Sequence, residues 1–175
     1  MKATGVIRRV DELGRIVIPK EIRRSLRIRD GEALEIFVDG EMIALKKYSN
    51  MSNLSDLANK IVDILDDSLH KNVLITDRDS FIAISKDIKK DFYNHHISSY
   101  LEKIIARDDV VFETFSHSIE FINGRIDHFS YKIQPVHFNG EVIGLIIVFS
   151  DESITSMDDQ IISFLAQFLE KSIEE

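Results

Sequence analysis

The sequence contains no cysteine among its 175 residues. This absence excludes disulfide bonds, thiolate metal ligands and cysteine nucleophiles, and it fits a reducing compartment. Tryptophan is also absent, and proline occurs only twice. No apolar run approaches the roughly 18 residues that indicate a membrane-spanning helix, and the first stretch, MKATGVIRRV, lacks the apolar core of a signal peptide. We therefore expect a cytoplasmic protein that does not enter a membrane.

The basic residues are concentrated at one end of an acidic chain. The whole sequence has 22 Lys+Arg and 30 Asp+Glu, a net charge of −8. The first 29 residues nevertheless hold nine basic and three acidic side chains, about +6, which leaves about −14 for the remainder. This asymmetry predicts two modules with different partners. Because 44% of the residues are apolar, we expect the chain to fold.

The boundary between the two modules is predicted within KKYSNMSNLS, where serine and asparagine cluster between a strand pattern and a long helical pattern. We expect a first domain at residues 1–50, a linker at 51–55 and a second domain at 56–175. The first domain holds four of the seven glycines, which predicts short elements joined by tight turns.

The first domain is predicted to be a small β-rich module. Strands are expected over Ala3–Val10 and Arg15–Ile18, followed by a short helix that Pro19 opens and by a hairpin that turns at Asp39–Gly40. A module of about 50 residues rarely buries enough apolar surface to fold alone. We therefore expect a dimer whose two chains share one core.

The arginines of this module allow two interpretations. In a dimer every basic residue occurs twice across a two-fold axis, and guanidinium groups suit phosphates and groove edges of a DNA duplex. A solvated basic face, with i,i+4 neighbours such as Lys20 and Arg24, explains the same residues equally well. Composition alone leaves both interpretations open.

The stretch TGVIRRVDELGRIVIPKEIRRSL, with its core LGRIVIPKEIR, closely resembles the AbrB-type swapped-hairpin DNA-binding domain of bacterial transition-state regulators. The resemblance implies interlocked dimers that place basic residues of the first hairpin and the short helix on DNA. The residues it places there are Arg8, Arg15, Arg23 and Arg24, followed by Arg9, Lys2 and Arg27 as phosphate contacts. It also implies that DNA shape is read more than base sequence, which favours A·T-rich promoter targets.

The second domain is predicted to be an α/β sensor domain. Apolar residues from Leu54 to Leu69 recur at helical spacing, and NVLITD and FIAISK are predicted strands. NHHISSYLEKIIARDD is predicted to be a helix, VVFETF and IEFI short strands, and FSYKIQPVHF with VIGLIIVF a hairpin turning at Asn139–Gly140. A final helix is expected to begin with a capping box of Ser156 and Asp159. This order resembles a GAF-type small-molecule sensor domain.

The expected fold class is therefore α+β, an N-terminal swapped-hairpin β-barrel dimer followed by a GAF-like α/β domain. The combination resembles a group of transcription regulators of late sporulation. It implies a nucleoid-associated DNA-binding protein of the forespore, with an unidentified small molecule as a possible ligand of the GAF-like domain. The alternative is an antitoxin-like or architectural DNA-binding protein whose second domain makes only protein contacts.

Residues that suggest enzymatic chemistry have simpler interpretations. The adjacent pair His95–His96 would lie about 100° apart on a helix, with no carboxylates at ligand spacing. Asp77, Asp79 and the pair Asp108–Asp109 lie in turns, where aspartate makes local hydrogen bonds. We therefore predict no catalytic residue, no metal site and no required cofactor.

The two helices that flank the second domain have wide apolar faces. At about 100° per residue, apolar positions span about 180° of the last helix and about 160° of the first, against about 100° for a helix that covers one sheet. A second interface between chains is therefore expected. If it joins different partners, the protein is a tetramer with two DNA-binding heads, which we favour because two heads raise affinity by avidity. A dimer held at both interfaces stays open.

Overall fold

The structure is a computed structural model that describes residues 5–49, 51 and 54–173. The chain forms two compact units, the N-terminal unit Met1–Tyr48 and the C-terminal unit Ser49–Glu175. The N-terminal unit contains a two-stranded sheet and the C-terminal unit a five-stranded sheet, and both contain helices. The predicted α+β class is confirmed.

The N-terminal unit has one short helix and one hairpin. Helix α1 (Lys20–Ser25) follows Pro19, whose carbonyl oxygen accepts a hydrogen bond from the Arg23 amide at 2.9 Å. Strands β1 (Leu34–Asp39) and β2 (Met42–Lys47) pair antiparallel, with Asp39 opposite Met42. The hairpin therefore turns at positions 40 and 41, one residue later than predicted.

The two strands predicted over Ala3–Val10 and Arg15–Ile18 are not strands in the single chain. The described residues of both segments are irregular and flank a turn at positions 12–14. A strand requires a hydrogen-bonded neighbour, and this chain provides none for either segment within the residues described. The single chain therefore does not form these strands, and in the predicted dimer, in which two chains share one core, a neighbour would have to come from the second chain.

The N-terminal unit buries none of its residues from 5 to 48. Large apolar side chains remain in solvent, among them Ile7 at 87% and Val38 at 74% of their full exposure. Exposed apolar surface of this extent marks an interaction site. The exposure agrees with the expectation that a second chain completes the core of this unit.

The C-terminal unit is an antiparallel sheet with helices on both faces. The strand order is β4-β3-β7-β6-β5. The strands are β3 (Asn72–Thr76), β4 (Phe81–Ile84), β5 (Val111–Ile122), β6 (Arg125–Phe138) and β7 (Glu141–Ser150). The helices are α2 (Ser55–Leu69), the single turn α3 (Lys89–Phe92), α4 (Ser99–Arg107) and α5 (Ser156–Ile173). A 3-10 turn, Lys86–Ile88, precedes α3.

Two separate apolar cores lie on the two faces of this sheet. Helices α2 and α5 pack on one face and bury residues such as Ile61 and Ile162. Met51, predicted to lie in a linker, is instead fully buried in the same core. Helices α3 and α4 pack on the other face with a group of phenylalanines. None of the described helices is both long and apolar enough to span a bilayer.

The late hairpin forms where it was predicted. Residues Asn139 and Gly140 join β6 to β7, and both have positive φ, 51° and 78°. Asparagine and glycine tolerate this left-handed conformation better than other residues, which is why the Asn-Gly pair indicates a tight hairpin turn. The predicted strands VVFETF and IEFI are instead one continuous strand, β5, with irregular register against β6.

Two helix starts differ from the prediction. Helix α4 begins at Ser99, because the Ser98 side chain caps it by accepting from the Leu101 amide. His95–His96 precede this helix, and His96 pairs with Ser80 across an isolated bridge.

Helix α5 begins at Ser156, but its capping box is formed one residue earlier than predicted. The Thr155 amide donates to Asp158 at 2.7 Å, and the Asp158 amide donates to the Thr155 hydroxyl at 3.2 Å. The predicted pair, Ser156 and Asp159, shows the same spacing in the sequence. Asp159 instead pairs with Lys132 of the sheet.

Candidate nucleic-acid interface

The predicted DNA-binding residues lie in the turn region and in α1 of the N-terminal unit. Arg8 and Arg9 precede the turn and are exposed. The Arg8 side chain donates to the neighbouring Ile7 carbonyl, through Nη1 at 3.0 Å. Lys2 lies outside the described residues, so its predicted role stays a prediction.

The turn before Arg15 is built on the side chain of Asp11. Its Oδ1 atom accepts from the backbone amides of Leu13 at 3.0 Å and Arg15 at 2.8 Å. Gly14 has a φ of 76°, which a residue with a side chain rarely adopts, so glycine suits this position. The Asp11 Oδ2 atom accepts from Arg15 Nε at 2.8 Å. The backbone amide of Arg15, and then its guanidinium, lower the pKa of the Asp11 carboxyl group.

Helix α1 carries the second group of arginines in its last turn. Arg24 is exposed, whereas Arg23 is half-buried and its Nη1 atom lies 2.6 Å from Asp30 Oδ1. Arg27 follows the helix with a positive φ of 53°, and its carbonyl accepts from Lys47 Nζ at 3.0 Å. The hairpin thus holds the end of α1 in place through the Lys47 side chain.

Arg8, Arg9, Arg15 and Arg24 are exposed cationic side chains of this unit. Two of the four leading arginines, Arg15 and Arg23, have a carboxylate partner in the same unit, a pairing that the sequence analysis did not foresee. Exposed ion pairs contribute little to stability because water and salt screen them. A phosphate can therefore replace or join these partners at low cost.

Of the aspartates predicted to lie in turns of the C-terminal unit, Asp77 makes local hydrogen bonds and Asp108 makes a distant one. Asp77 Oδ1 accepts from the backbone amides of Asp79 at 2.8 Å and Ser80 at 2.7 Å, which confirms a local role in the turn. Asp108, in contrast, reaches His137 Nε2 at 2.8 Å. Across the described part of the chain, His, Asp and Glu side chains form no group of three that could hold a metal ion.

His137 of β6 connects α5 with the end of α4, contacts that were not predicted from the sequence. Its Nδ1 atom lies 2.7 Å from Glu170 Oε1 on α5, and its Nε2 atom contacts Asp108, which follows α4. Burial lowers the pKa of His137, but the hydrogen bonds to Glu170 and Asp108 outweigh it, so the pKa is raised. The three residues are too far apart in the sequence for any spacing rule to connect them.

The space between the sheet and helices α3 and α4 is filled by aromatic rings. Phe92 packs against Phe81, Phe121 and Phe149 with ring centroids 5.2 to 6.1 Å apart. All four side chains are buried. Next to them, an open cleft of about 480 Å³ is lined by Lys89, Lys90 and Tyr93. The four rings form part of the apolar core on this face, together with aliphatic side chains such as Leu101 and Ile147.

Comparisons with known proteins identify the family. A family model described as "Stage V sporulation protein T C-terminal, transcription factor" matches residues 53–174. The chain is 47% identical to stage V sporulation protein T of Bacillus subtilis (strain 168), over the full length of both chains. The chain belongs to the stage V sporulation protein T family. The predicted class of DNA-binding sporulation regulator is confirmed by this membership.

The N-terminal unit has relatives of its own. Over 48 residues it is 65% identical to the transition state regulatory protein AbrB of Bacillus subtilis (strain 168), which covers 27% of this chain and 50% of AbrB. A second family model, "Antidote-toxin recognition MazE, bacterial antitoxin", matches residues 7–52. The predicted AbrB-type head is confirmed, and the MazE match reaches no farther than residue 52.

The C-terminal unit of this stage V sporulation protein T family member has the fold of GAF domains. The GAF domain of an Acinetobacter phosphoenolpyruvate-protein phosphotransferase superposes with a TM-score of 0.55 at 13% identity. The superposition covers 74% of this chain and 84% of that one. Identity this low shows the fold alone, and it confirms the predicted GAF-like domain.

Proposed function

We propose that this protein regulates late sporulation genes by binding promoter DNA through Arg8, Arg15, Arg23 and Arg24. One observation carries the proposal: these cationic side chains lie on a unit that buries none of its residues from 5 to 48 and needs a second copy. Such a dimer presents each arginine twice across a two-fold axis, as a duplex requires. Arg9, Lys2 and Arg27 act as additional phosphate contacts.

The charge distribution supports this division of roles. Residues 1–48 hold 11 basic and eight acidic side chains, about +3, so the chain's −8 leaves about −11 for the remainder. DNA repels the acidic part and attracts the basic head. The head selects A·T-rich promoter regions by their shape and flexibility. The protein works on the chromosome in the cytoplasm of the forespore, as a binding protein and not as an enzyme.

The C-terminal unit assembles the chains into a tetramer. Helix α5 buries Ile162 and Leu169 against its own sheet, whereas Phe164 and Phe168 are 66% and 47% exposed. Ile64 of α2 is exposed as well. These side chains provide an apolar face that a second copy covers isologously. Different partners at the head and at this face give a tetramer with two heads.

The packed core between the sheet and helices α3 and α4 favours assembly over ligand sensing as the role of this unit. Four buried phenylalanines and several aliphatic side chains form this core. A small molecule that binds within the core would have to displace some of them. Native mass spectrometry of the purified protein tests this part of the proposal, because a co-purified small molecule would show that the unit is a sensor.

The DNA-binding proposal is tested by replacing Arg15, Arg23 or Arg24 with alanine in the full chain. Each change is expected to weaken binding to an A·T-rich promoter duplex by about 1–3 kcal/mol where a base is contacted. Where a phosphate is contacted, the negative slope of log K against log salt concentration becomes shallower by about one for each chain. Gel-shift titrations across a salt series measure both effects.

Arg107→Ala is the matched control, since Arg107 is an exposed arginine in the last turn of α4, outside the head. It should leave affinity and salt slope almost unchanged. Circular dichroism and melting curves verify that each variant is folded. Unchanged affinity in all three head variants at one salt concentration would overturn the proposed interface.

A further inference from the structure

We propose that Asp11 is a positioning residue for DNA binding, whose carboxylate sets the direction in which the Arg15 guanidinium is presented. The inference rests on the proposed contact of Arg15 with DNA. It assigns an attractive contribution to an acidic residue on a surface that binds a polyanion. From charge alone, removing this carboxylate would be expected to strengthen binding.

The two oxygen atoms of Asp11 have separate tasks. Oδ1 accepts from the backbone amides of Leu13 and Arg15 and so closes the turn. Oδ2 accepts from Arg15 Nε, at 2.8 Å. The backbone of Arg15 returns to Asp11 through its carbonyl, which accepts from the Asp11 amide at 3.0 Å. All these contacts lie within five consecutive residues, so a second chain does not need to supply any of them.

The contact through Nε is the one that leaves the tip of the arginine available. A guanidinium group offers Nη1 and Nη2 at its tip, and these atoms form the fork that binds a phosphate or a guanine edge. The Arg15 side chain is 71% exposed, so this fork faces solvent. Because the Nε contact already restricts the Arg15 side chain, less side-chain entropy is lost when the guanidinium group binds DNA.

Arg23 shows the opposite arrangement. Its Nη1 atom, part of the fork, is already occupied by Asp30 Oδ1 at 2.6 Å. To use both atoms of the Arg23 fork, DNA has to displace Asp30, whereas it can approach the fork of Arg15 with Asp11 still in place. The same type of ion pair therefore competes with DNA at Arg23 and assists it at Arg15.

Glu12 provides a matched control for the charge of Asp11. It is the next residue, it is exposed, and it carries the same charge in the same turn. Glu12→Gln removes one negative charge per chain without affecting the Nε contact. Asp11→Asn removes the same charge and keeps an oxygen for the two backbone amides, but its second position becomes an amide that offers no acceptor to Arg15.

The experiment compares Asp11→Asn with Glu12→Gln in the full chain, once with Arg15 present and once combined with Arg15→Ala. Affinity for one A·T-rich promoter duplex is measured by fluorescence anisotropy at a fixed salt concentration. With Arg15 present, Asp11→Asn is expected to bind about twofold to fivefold more weakly than Glu12→Gln, the scale of an exposed ion pair. In the Arg15→Ala background the two variants should bind equally, because the group that Asp11 orients is gone.

Three results would overturn the inference, each in a different way. Equal affinity of the two variants with Arg15 present, while Arg15→Ala weakens binding, removes the positioning role and leaves the proposed function intact. A difference that persists in the Arg15→Ala background shows that Asp11 acts only through the turn. If Arg15→Ala does not weaken DNA binding, the proposed contact of Arg15 is refuted, and the inference about Asp11 is refuted with it.

Discussion

The ion pair between Lys132 and Asp159 allows an asymmetric prediction about stability. Lys132 lies on β6 with its side chain only 5% exposed, and its ammonium group pairs with Asp159 in the first turn of α5. The same ammonium lies 5.5 Å from the centre of the Phe112 ring. Asp159 is 32% exposed, so water reaches one partner of this pair and hardly reaches the other.

The two single substitutions should therefore differ in cost. Asp159→Ala leaves a buried ammonium group without its carboxylate, and breaking a buried pair in this way typically costs about 3–5 kcal/mol. We expect about 3 kcal/mol, the lower end, because water can enter where Asp159 stood. Lys132→Met removes the buried charge and keeps most of the volume, so its effect should stay within about 1 kcal/mol. The remaining carboxylate of Asp159 is solvated.

Urea denaturation of the full chain, followed by far-ultraviolet circular dichroism, measures both costs. The double variant Lys132→Met/Asp159→Ala is the decisive control, since it should recover most of the stability lost in Asp159→Ala. Equal losses in the two single variants, or a larger loss in Lys132→Met, would refute the reasoning. The pair also holds the start of α5, so Asp159→Ala should weaken the assembly proposed through this helix.

Three further predictions concern the C-terminal unit. The double variant Phe164→Glu/Phe168→Glu should reduce a tetramer to dimers in sedimentation equilibrium. A parent chain that is dimeric at every concentration would refute the tetramer. Ile162 is unsuitable for this test because it is fully buried in the core of its own unit. Gly144→Ala should destabilise the unit by about 3 kcal/mol or more, because an added Cβ would lie 2.1 Å from the Thr76 carbonyl oxygen; an unchanged urea midpoint would contradict this. The raised pKa of His137 means that its contacts with Asp108 and Glu170 stabilise the fold most below its ordinary value of 6.5, and that this contribution is lost as pH rises through the raised pKa. The loss in melting temperature on His137→Gln should thus be larger near pH 6 than near pH 8, and a loss independent of pH would rule out the charged form.

Features encoded by neighbouring residues were predictable from the sequence. The Asn139–Gly140 turn and the long helix α2 follow from local propensity and periodicity. The turn at Asp11 could also have been predicted, because an aspartate side chain commonly accepts a hydrogen bond from the backbone amide two residues later and so forms a turn. The capping box of α5 was placed one residue late because two pairs have the same spacing. The choice between them depends on Lys132, 27 residues away from Asp159.

Features that join distant segments were not predictable. The contacts of His137 come from an aspartate 29 residues earlier and a glutamate 33 residues later. The first two predicted strands have no hydrogen-bonded neighbour among the described residues of this chain, which the pattern of apolar residues could not reveal. The DNA-binding residues were inferred from a family resemblance, and the carboxylate partners of Arg15 and Arg23 emerged only from the geometry.

The lack of any buried residue between positions 5 and 48 has a consequence for how the regulator responds to its own abundance. A head that acquires its core only by pairing folds in a second-order reaction, so the fraction of competent heads depends on chain concentration. In the proposed tetramer, two chains joined through their C-terminal units pair their heads with different partners, so the second head pairs at a high effective concentration once the first has paired. The number of heads able to bind DNA would then rise more than in proportion to the expression level.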